Sequence, residues 1–176
     1  LICGTNKAVN QKNETEYNRL DSKEYIYESV VSGNVAESDK IVPDILKLKV
    51  GCRVMTVVNS LGGDYQNGTL ATVTRLNKDS IVILTDDGNI VNVQPYTWNI
   101  NNYNPKEVKG KVKINLECVA TFTQYPLKLA YAVTVHKSQG QTFDKVNLNP
   151  YCWDCGQLYV ALSRVRTIEG LHLTQP

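Results

Sequence analysis

Ala132-Val-Thr-Val-His-Lys-Ser-Gln-Gly-Gln-Thr-Phe143 is an apolar run that breaks into a polar, glycine-punctuated turn. Gly156-Gln-Leu-Tyr-Val-Ala-Leu-Ser-Arg-Val-Arg166 follows with a different periodicity. Residues 130–135 have the character of a central strand in a parallel sheet. Leu158, Ala161, Leu162 and Val165 recur at helical spacing, which predicts a helix with one buried face and with Arg164 and Arg166 near its end. A strand tip offering backbone amides, hydroxyls and a cation, followed by a helix offering an arginine, has the makings of a phosphate-handling site. In open α/β sheets ligands bind beyond the carboxyl ends of the strands, so this stretch sets both the fold class and the place to look.

Outward from it, Leu1-Ile-Cys3 reads as a buried strand ending at Gly4-Thr5-Asn6, and a helical pattern then runs to about Leu20. Val9, Tyr17 and Leu20 share a face, and Thr5 or Asn6 is placed to cap the start. Residues 21–45 are polar and read as a connection with at most one short strand. From Leu46 the texture becomes β-rich: Leu46–Val50 alternates, and Arg53–Val58, Thr69–Leu76, Ser80–Leu84 and Ile90–Val93 are strand-like. Gly62-Gly63, Asn67-Gly68 and Asp86–Asn89 mark turns between them. After Pro105, strands are expected at Val112–Ile114, Glu117–Thr123 and Leu127–Val135. Short strands at regular spacing indicate a small barrel or sandwich. The expected architecture is α/β, a parallel sheet with helices, interrupted by a small β insertion.

Length allows one well-packed core carrying such an insertion, since the chain has 176 residues, 42% hydrophobic and 20% charged. No apolar run approaches a membrane span and no signal peptide opens the sequence, so neither a membrane nor secretion is expected. The net charge of +2 is too small to argue for nucleic acid alone. Lys106, Lys109, Lys111 and Lys113 form a local basic run, whose plainer reading is a solvated β edge. The chain opens at Leu1, without methionine and with the pattern of a strand already under way, so we expect a piece excised from something longer.

Five cysteines are an odd number set in apolar contexts. Cys3, Cys52 and Cys118 fall in expected strands and read as small hydrophobes. Cys152-Trp-Asp-Cys155 has CxxC spacing, but no second ligand pair accompanies it, so no metal is expected. A reducing, intracellular compartment is the simpler inference.

The chemistry concentrates at the two end segments. The hydroxyls of Thr134, Ser138 and Thr142, the Lys137 ammonium and free amides of the turn suit a polyanion, and His136 suits stacking on a base or bonding a phosphate. The plain alternative is a capped turn with solvated polar residues. Arg164 and Arg166 suit a helix C-terminus electrostatically. The sharper reading is that Arg164 reaches a γ-phosphate at a domain interface, with Gln157 and Tyr159 orienting it or lining the nucleotide.

Thr134–Thr142 resembles motif V of superfamily 1 helicases, and Gly156–Arg166 with Glu169-Gly170-Leu171 resembles motif VI. Their spelling is that of the RecD/Pif-one-like branch. Ile2–Lys7 resembles motif IV, Leu48–Met55 with Asn67-Gly68 resembles the branch's approach to its inserted β-domain, and Gln124–Tyr131 resembles the lead-in to motif V. The resemblance implies a second RecA-like core domain, with residues 1–45 and 120–176 as its two parts, and a Src-homology-3-like barrel inserted over 46–119. It implies that Thr134, His136, Lys137 and Ser138 contact a single-stranded DNA backbone, with Thr5 and Asn6 as further candidates and with RNA left open. Gln139 and Gly140 would couple that contact to a nucleotide site, and Arg164 would be the arginine finger, supported by Gln157 and Tyr159. ATP and Mg2+ are implied as cofactors of the full-length enzyme, with none on this fragment. The implied partners are single-stranded DNA and the N-terminal RecA-like domain of the same polypeptide, in a monomer travelling 5′→3′.

One departure limits this. No GxxxxGK followed by Ser or Thr occurs: Gly110-Lys111 has Pro105 where the first glycine belongs and Val112 where the hydroxyl belongs. Without a phosphate-cradling loop, its lysine and a magnesium carboxylate, Arg164 has no γ-phosphate to reach, so no ATPase activity is expected from this chain alone. Tyr151–Cys155 is also an unusual lead into motif VI. The alternative reading is a nucleic-acid-binding or adaptor module that has lost motor function.

Overall fold

β1 (Ile2–Cys3) is buried on both residues and ends at Gly4, where the chain turns into α1 (Asn6–Asn18). Thr5 caps that helix as expected, its hydroxyl accepting from the Ala8 N–H at 3.2 Å. The computed structural model describes residues 1–108, 111–149 and 156–174, with side chains described outside 103–116.

The polar stretch after α1 holds more structure than its composition suggests. β2 (Glu24–Glu28) pairs antiparallel with β4 (Ile45–Lys49), and β3 (Val30–Ser32) lies between them in sequence. β5 (Arg53–Thr56), β6 (Leu70–Asn77), β7 (Ser80–Thr85) and β8 (Ile90–Val93) then form an antiparallel meander. β9 (Tyr96–Val108) and β10 (Lys111–Gln124) make a long hairpin, with β3 on the other side of β10. β11 (Leu127–Leu129) returns to the meander beside β5, giving the order β11-β5-β6-β7-β8.

The expectation of at most one strand in 21–45 is therefore corrected to two. Their partners lie far off in sequence: Val30–Ser32 pairs with Thr121–Thr123, and Val30 is 69% exposed, so no local alternation announces the strand. β9 is also an addition, and Pro105 sits within it opposite Ile114. Proline is tolerated there because β9 is an edge strand of its sheet. The two strands expected within 112–123 are one continuous strand. Lys106, Lys111 and Lys113 belong to this hairpin, while Lys109, Gly110, Cys152 and Cys155 lie outside the described residues.

β12 (Val133–Thr134), β13 (Val146–Leu148) and β14 (Leu171–Leu173) join β1 in an all-parallel sheet ordered β12-β1-β13-β14 among the described residues. The long central strand expected over 130–135 is a correction. Residues 127–129 pair with β5, the chain crosses between sheets at 130–132, and the two residues of β12 occupy the sheet's edge. α2 (Gln157–Leu162) is likewise shorter than the expected helix. It stops because Val165 bridges to Phe143 in parallel, with the Phe143 N–H donating to the Arg164 carbonyl and the Arg166 N–H donating to the Phe143 carbonyl. Of the face expected to be buried, Ala161 is buried, whereas Leu158 and Leu162 are exposed.

Two cores result. The larger gathers Leu48, Val54, Ile81, Ile83 and Leu127 with Tyr17 of α1; the smaller gathers Ile2, Val135, Val146, Leu148 and Ala161 beneath the parallel sheet. Each fully buried aliphatic contributes about 1.5–3 kcal/mol, so the larger core does most to fix the antiparallel sheets against α1.

Candidate functional site

β1 and β12 are adjacent and parallel, so the segments leaving their carboxyl ends emerge side by side. From β1 come Thr5 and Asn6, both exposed. From β12 comes a 3-10 turn over His136–Ser138, with His136 and Lys137 exposed. Two of the three hydroxyls expected to face a ligand, those of Thr134 and Ser138, make hydrogen bonds within the turn. Thr134, 7% exposed, accepts from the Lys137 N–H at 3.3 Å, and Ser138, fully buried, donates to the Val135 carbonyl at 2.7 Å. Gln139 and Gly140 follow in exposed positions. Gly140 has φ +78°, a conformation glycine adopts without strain.

Arg164 lies just beyond α2. Its Nε donates to the Val160 carbonyl at 3.1 Å, Nη1 to the Gln141 carbonyl at 3.3 Å and Nη2 to Ser163 Oγ at 2.9 Å. All three acceptors are neutral, so the guanidinium is oriented without being neutralised. Arg166 differs: it pairs with Asp144 at 3.2 Å. Tyr159 is 76% exposed on α2 and Gln157 is half-buried in its first turn, so both share a short helix with the arginine's anchor.

A cleft of about 540 Å³ opens between α1 and the β11–β12 crossing, and Asn6, Thr134 and Lys137 line it together. Three residues that the sequence did not single out complete this region. Asn13, 8% exposed, clamps the crossing: Nδ2 donates to the Leu129 and Ala132 carbonyls at 3.3 and 3.2 Å, and Oδ1 accepts from the Ala132 N–H at 2.8 Å. Gln141 links the turn to the antiparallel meander, its Nε2 lying 3.8 Å from Met55 Sδ and where a β-carbon on Gly68 would collide with it. Lys128 of β11 lines the cleft, and burial first, then the Lys137 ammonium, pulls its pKa down to about 8. In sequence Asn13 and Lys128 read as solvent-facing polar positions of an amphipathic helix and an alternating strand, and no local signal marks either.

No protein-family model matches the chain. It is 35% identical over 167 residues to the ATP-dependent DNA helicase Pif1 of Bdellovibrio bacteriovorus, covering 92% of this chain and 36% of that relative. The crystal structure of Bacteroides sp Pif1 in complex with ADP-AlF4 superposes with a TM-score of 0.83 at 38% identity, over 98% of this chain and 39% of that one. The crystal structure of Bacteroides Pif1 bound to ssDNA gives 0.80 at 38% identity, over 98% and 39%. The chain belongs to the Pif1-like superfamily 1 helicases. Its parallel sheet with flanking helices fits a RecA-like helicase domain. This Pif1-like chain spans between a fifth and about two fifths of the length of the relatives it matches. No helix of the described residues is long and apolar enough to cross a membrane.

Proposed function

We propose that this chain is the C-terminal part of an ATP-dependent DNA helicase, a translocase moving 5′→3′ on single-stranded DNA. It comprises a second RecA-like domain, from residues 1–45 and 120–176, with a Src-homology-3-like β-domain inserted over 46–119. His136 and Lys137, with Asn6 and Thr5 beside them, face the strand, and Thr134 and Ser138 hold the turn that presents them. Gln139 and Gly140 couple this turn to the nucleotide. Arg164 is the arginine finger, with Gln157 and Tyr159 supporting it on α2.

The observation that carries the reading is the bond from Arg164 Nη1 to the Gln141 carbonyl. The proposed finger is thereby tied to the segment that leaves the proposed strand-contacting turn, so a strand moving that turn moves the arginine. An arginine oriented by neutral acceptors keeps its full charge for the oxygens of a transferring phosphoryl group.

The residues present fit one side of an ATP–Mg2+ site. The phosphate-cradling loop, its lysine and the magnesium carboxylate are absent from these 176 residues and come, on this reading, from an N-terminal RecA-like domain of the same polypeptide. ATP bound there supplies the phosphoryl group; this chain supplies the charge that meets it. The chain alone hydrolyses no ATP.

Joined to such an N-terminal domain, the chain is expected to show strand-dependent ATP hydrolysis. Arg164→Ala abolishes that turnover and leaves strand binding largely intact. Hydrolysis near the parent rate in the Arg164→Ala protein would remove the arginine-finger assignment. Strand binding with no hydrolysis in the joined protein would favour an adaptor.

A further inference from the structure

We propose that Lys128 and Lys137 together seat one phosphodiester of the single strand in the cleft between α1 and the β11–β12 crossing. The inserted sheet would then grip the strand alongside the core. This rests on the reading above that the His136–Ser138 turn faces a nucleic-acid strand.

The two lysines come from different parts of the fold. Lys128 lies on β11, which pairs with β5 of the inserted sheet, and Lys137 lies on the turn after β12 of the parallel sheet. Both line the same cleft. Neither makes an ion pair among the described residues. Burial and the facing ammonium both disfavour the charge on Lys128, and among the described residues no carboxylate opposes them. The cleft's own acids are otherwise placed: Glu24 accepts from the Tyr17 hydroxyl at 2.9 Å, and Glu14 is exposed on α1. Lys47 on β4 adds a third cation to the lining.

A partly desolvated Lys128 cation held beside the exposed Lys137 cation without an acid is unfavourable in isolation, and an anion between them reverses the sign of the interaction. A phosphodiester has two non-bridging oxygens, one for each ammonium. The Asn6 and Asn10 amides also line the cleft, and a volume of about 540 Å³ has room for a nucleotide unit. The neighbouring exposed His136 and Asn6 make a polymer backbone the fitting occupant, since an isolated phosphate would use a small part of this lining.

The test uses the chain joined to its N-terminal domain and a fluorescent oligothymidylate, read by anisotropy across salt and pH. Lys128→Met is expected to weaken binding several-fold and to lower the salt slope by about 0.7, one single-strand phosphate contact. Lys128→Arg is expected to retain the parent slope. Parent affinity is expected to fall as pH rises through about 8, where free Lys128 loses its proton, and the Lys128→Met protein is expected to lose that dependence. Thermal unfolding at neutral pH should show the Lys128→Met protein at least as stable as the parent, because a buried charge has been removed. Parent affinity and slope in a folded Lys128→Met protein would overturn the inference, while weakened binding by Lys137→Ala would leave the strand reading standing. No effect from either substitution would overturn both. Competition by inorganic phosphate beyond its ionic-strength effect would make this a free-anion site and overturn the strand assignment.

Discussion

Arg164 and Gln141 are joined through the backbone: Nη1 of the arginine donates to the glutamine carbonyl at 3.3 Å. The glutamine side chain continues the connection, since its amide abuts Met55 and the Gly68 turn of the antiparallel meander. Gly68 has φ +93°, so a side chain there meets both backbone strain and the Gln141 amide. Gly68→Ala is therefore expected to cost about 1–3 kcal/mol in urea unfolding. In the joined protein it should also lower strand-stimulated kcat more than it raises KM for ATP, because displacement of Gln141 disturbs Arg164. Lost stability with parent kcat would show that the Gly68 turn holds the fold without positioning the arginine.

Asn13 should prove a structural residue of unusual weight for a helix with a mostly polar surface. Its amide satisfies three backbone groups at the sheet crossing. Asn13→Ala leaves them unpaired at a site 8% exposed, and is expected to cost about 2–4 kcal/mol in the urea midpoint. Asn13→Asp places a carboxylate beside two carbonyls, which raises the new carboxyl's folded pKa. Its stability should consequently be best at acidic pH and decline as pH rises through that pKa.

The two arginines after α2 should separate cleanly. Arg166 and Asp144 are 67% and 80% exposed, so Arg166→Ala is expected to change stability by at most about 1 kcal/mol and to leave hydrolysis near the parent rate. Arg164→Lys keeps the charge but loses the fork that bonds Val160, Gln141 and Ser163. In the joined protein its kcat is expected to fall about a thousandfold, the scale associated with an arginine finger. Equal activity in both variants would remove the distinction.

Thiol chemistry offers a check on packing. Cys118 is exposed, whereas Cys52 is buried and its pKa is pushed up from 9.0 to about 11 by desolvation. Brief alkylation of the native protein followed by peptide mapping should therefore modify Cys118 and spare Cys52. A folded pKa raised above the unfolded one means that folding retains a proton the unfolded chain gives up. Cys52 thus contributes stability that is present below pH 9 and lost as pH rises towards 11. A urea midpoint followed over that range should decline, and Cys52→Ala should flatten the decline.

Legibility varied with how local the controlling interactions are. β4 and β7 were visible because Leu46, Leu48, Ile81 and Ile83 are buried in strict alternation. β3 and β9 were not, because their pairing partners lie far along the chain and because Pro105 reads as a break. The sheet crossing is hidden for a related reason: residues 127–135 form one largely apolar run, and nothing within it says that the first part pairs with β5 and the last with β1. The helix is shorter than its periodicity over 156–166 predicts because the bridge between Val165 and Phe143 competes with the next helical turn.

The sequence by itself determined the class of fold, the order of the motif-bearing segments and the family, because these rest on local periodicity and on the spelling of Thr134–Thr142 and Gly156–Arg166. Tertiary structure decided which polar groups are free to act. It engaged the hydroxyls of Thr134 and Ser138 in holding the turn, buried Asn13 as a clamp, tied Arg164 to Gln141 and set Lys128 against Lys137. A side chain's partner, burial and effective charge depend on what distant segments bring to it, and no window of sequence carries that information.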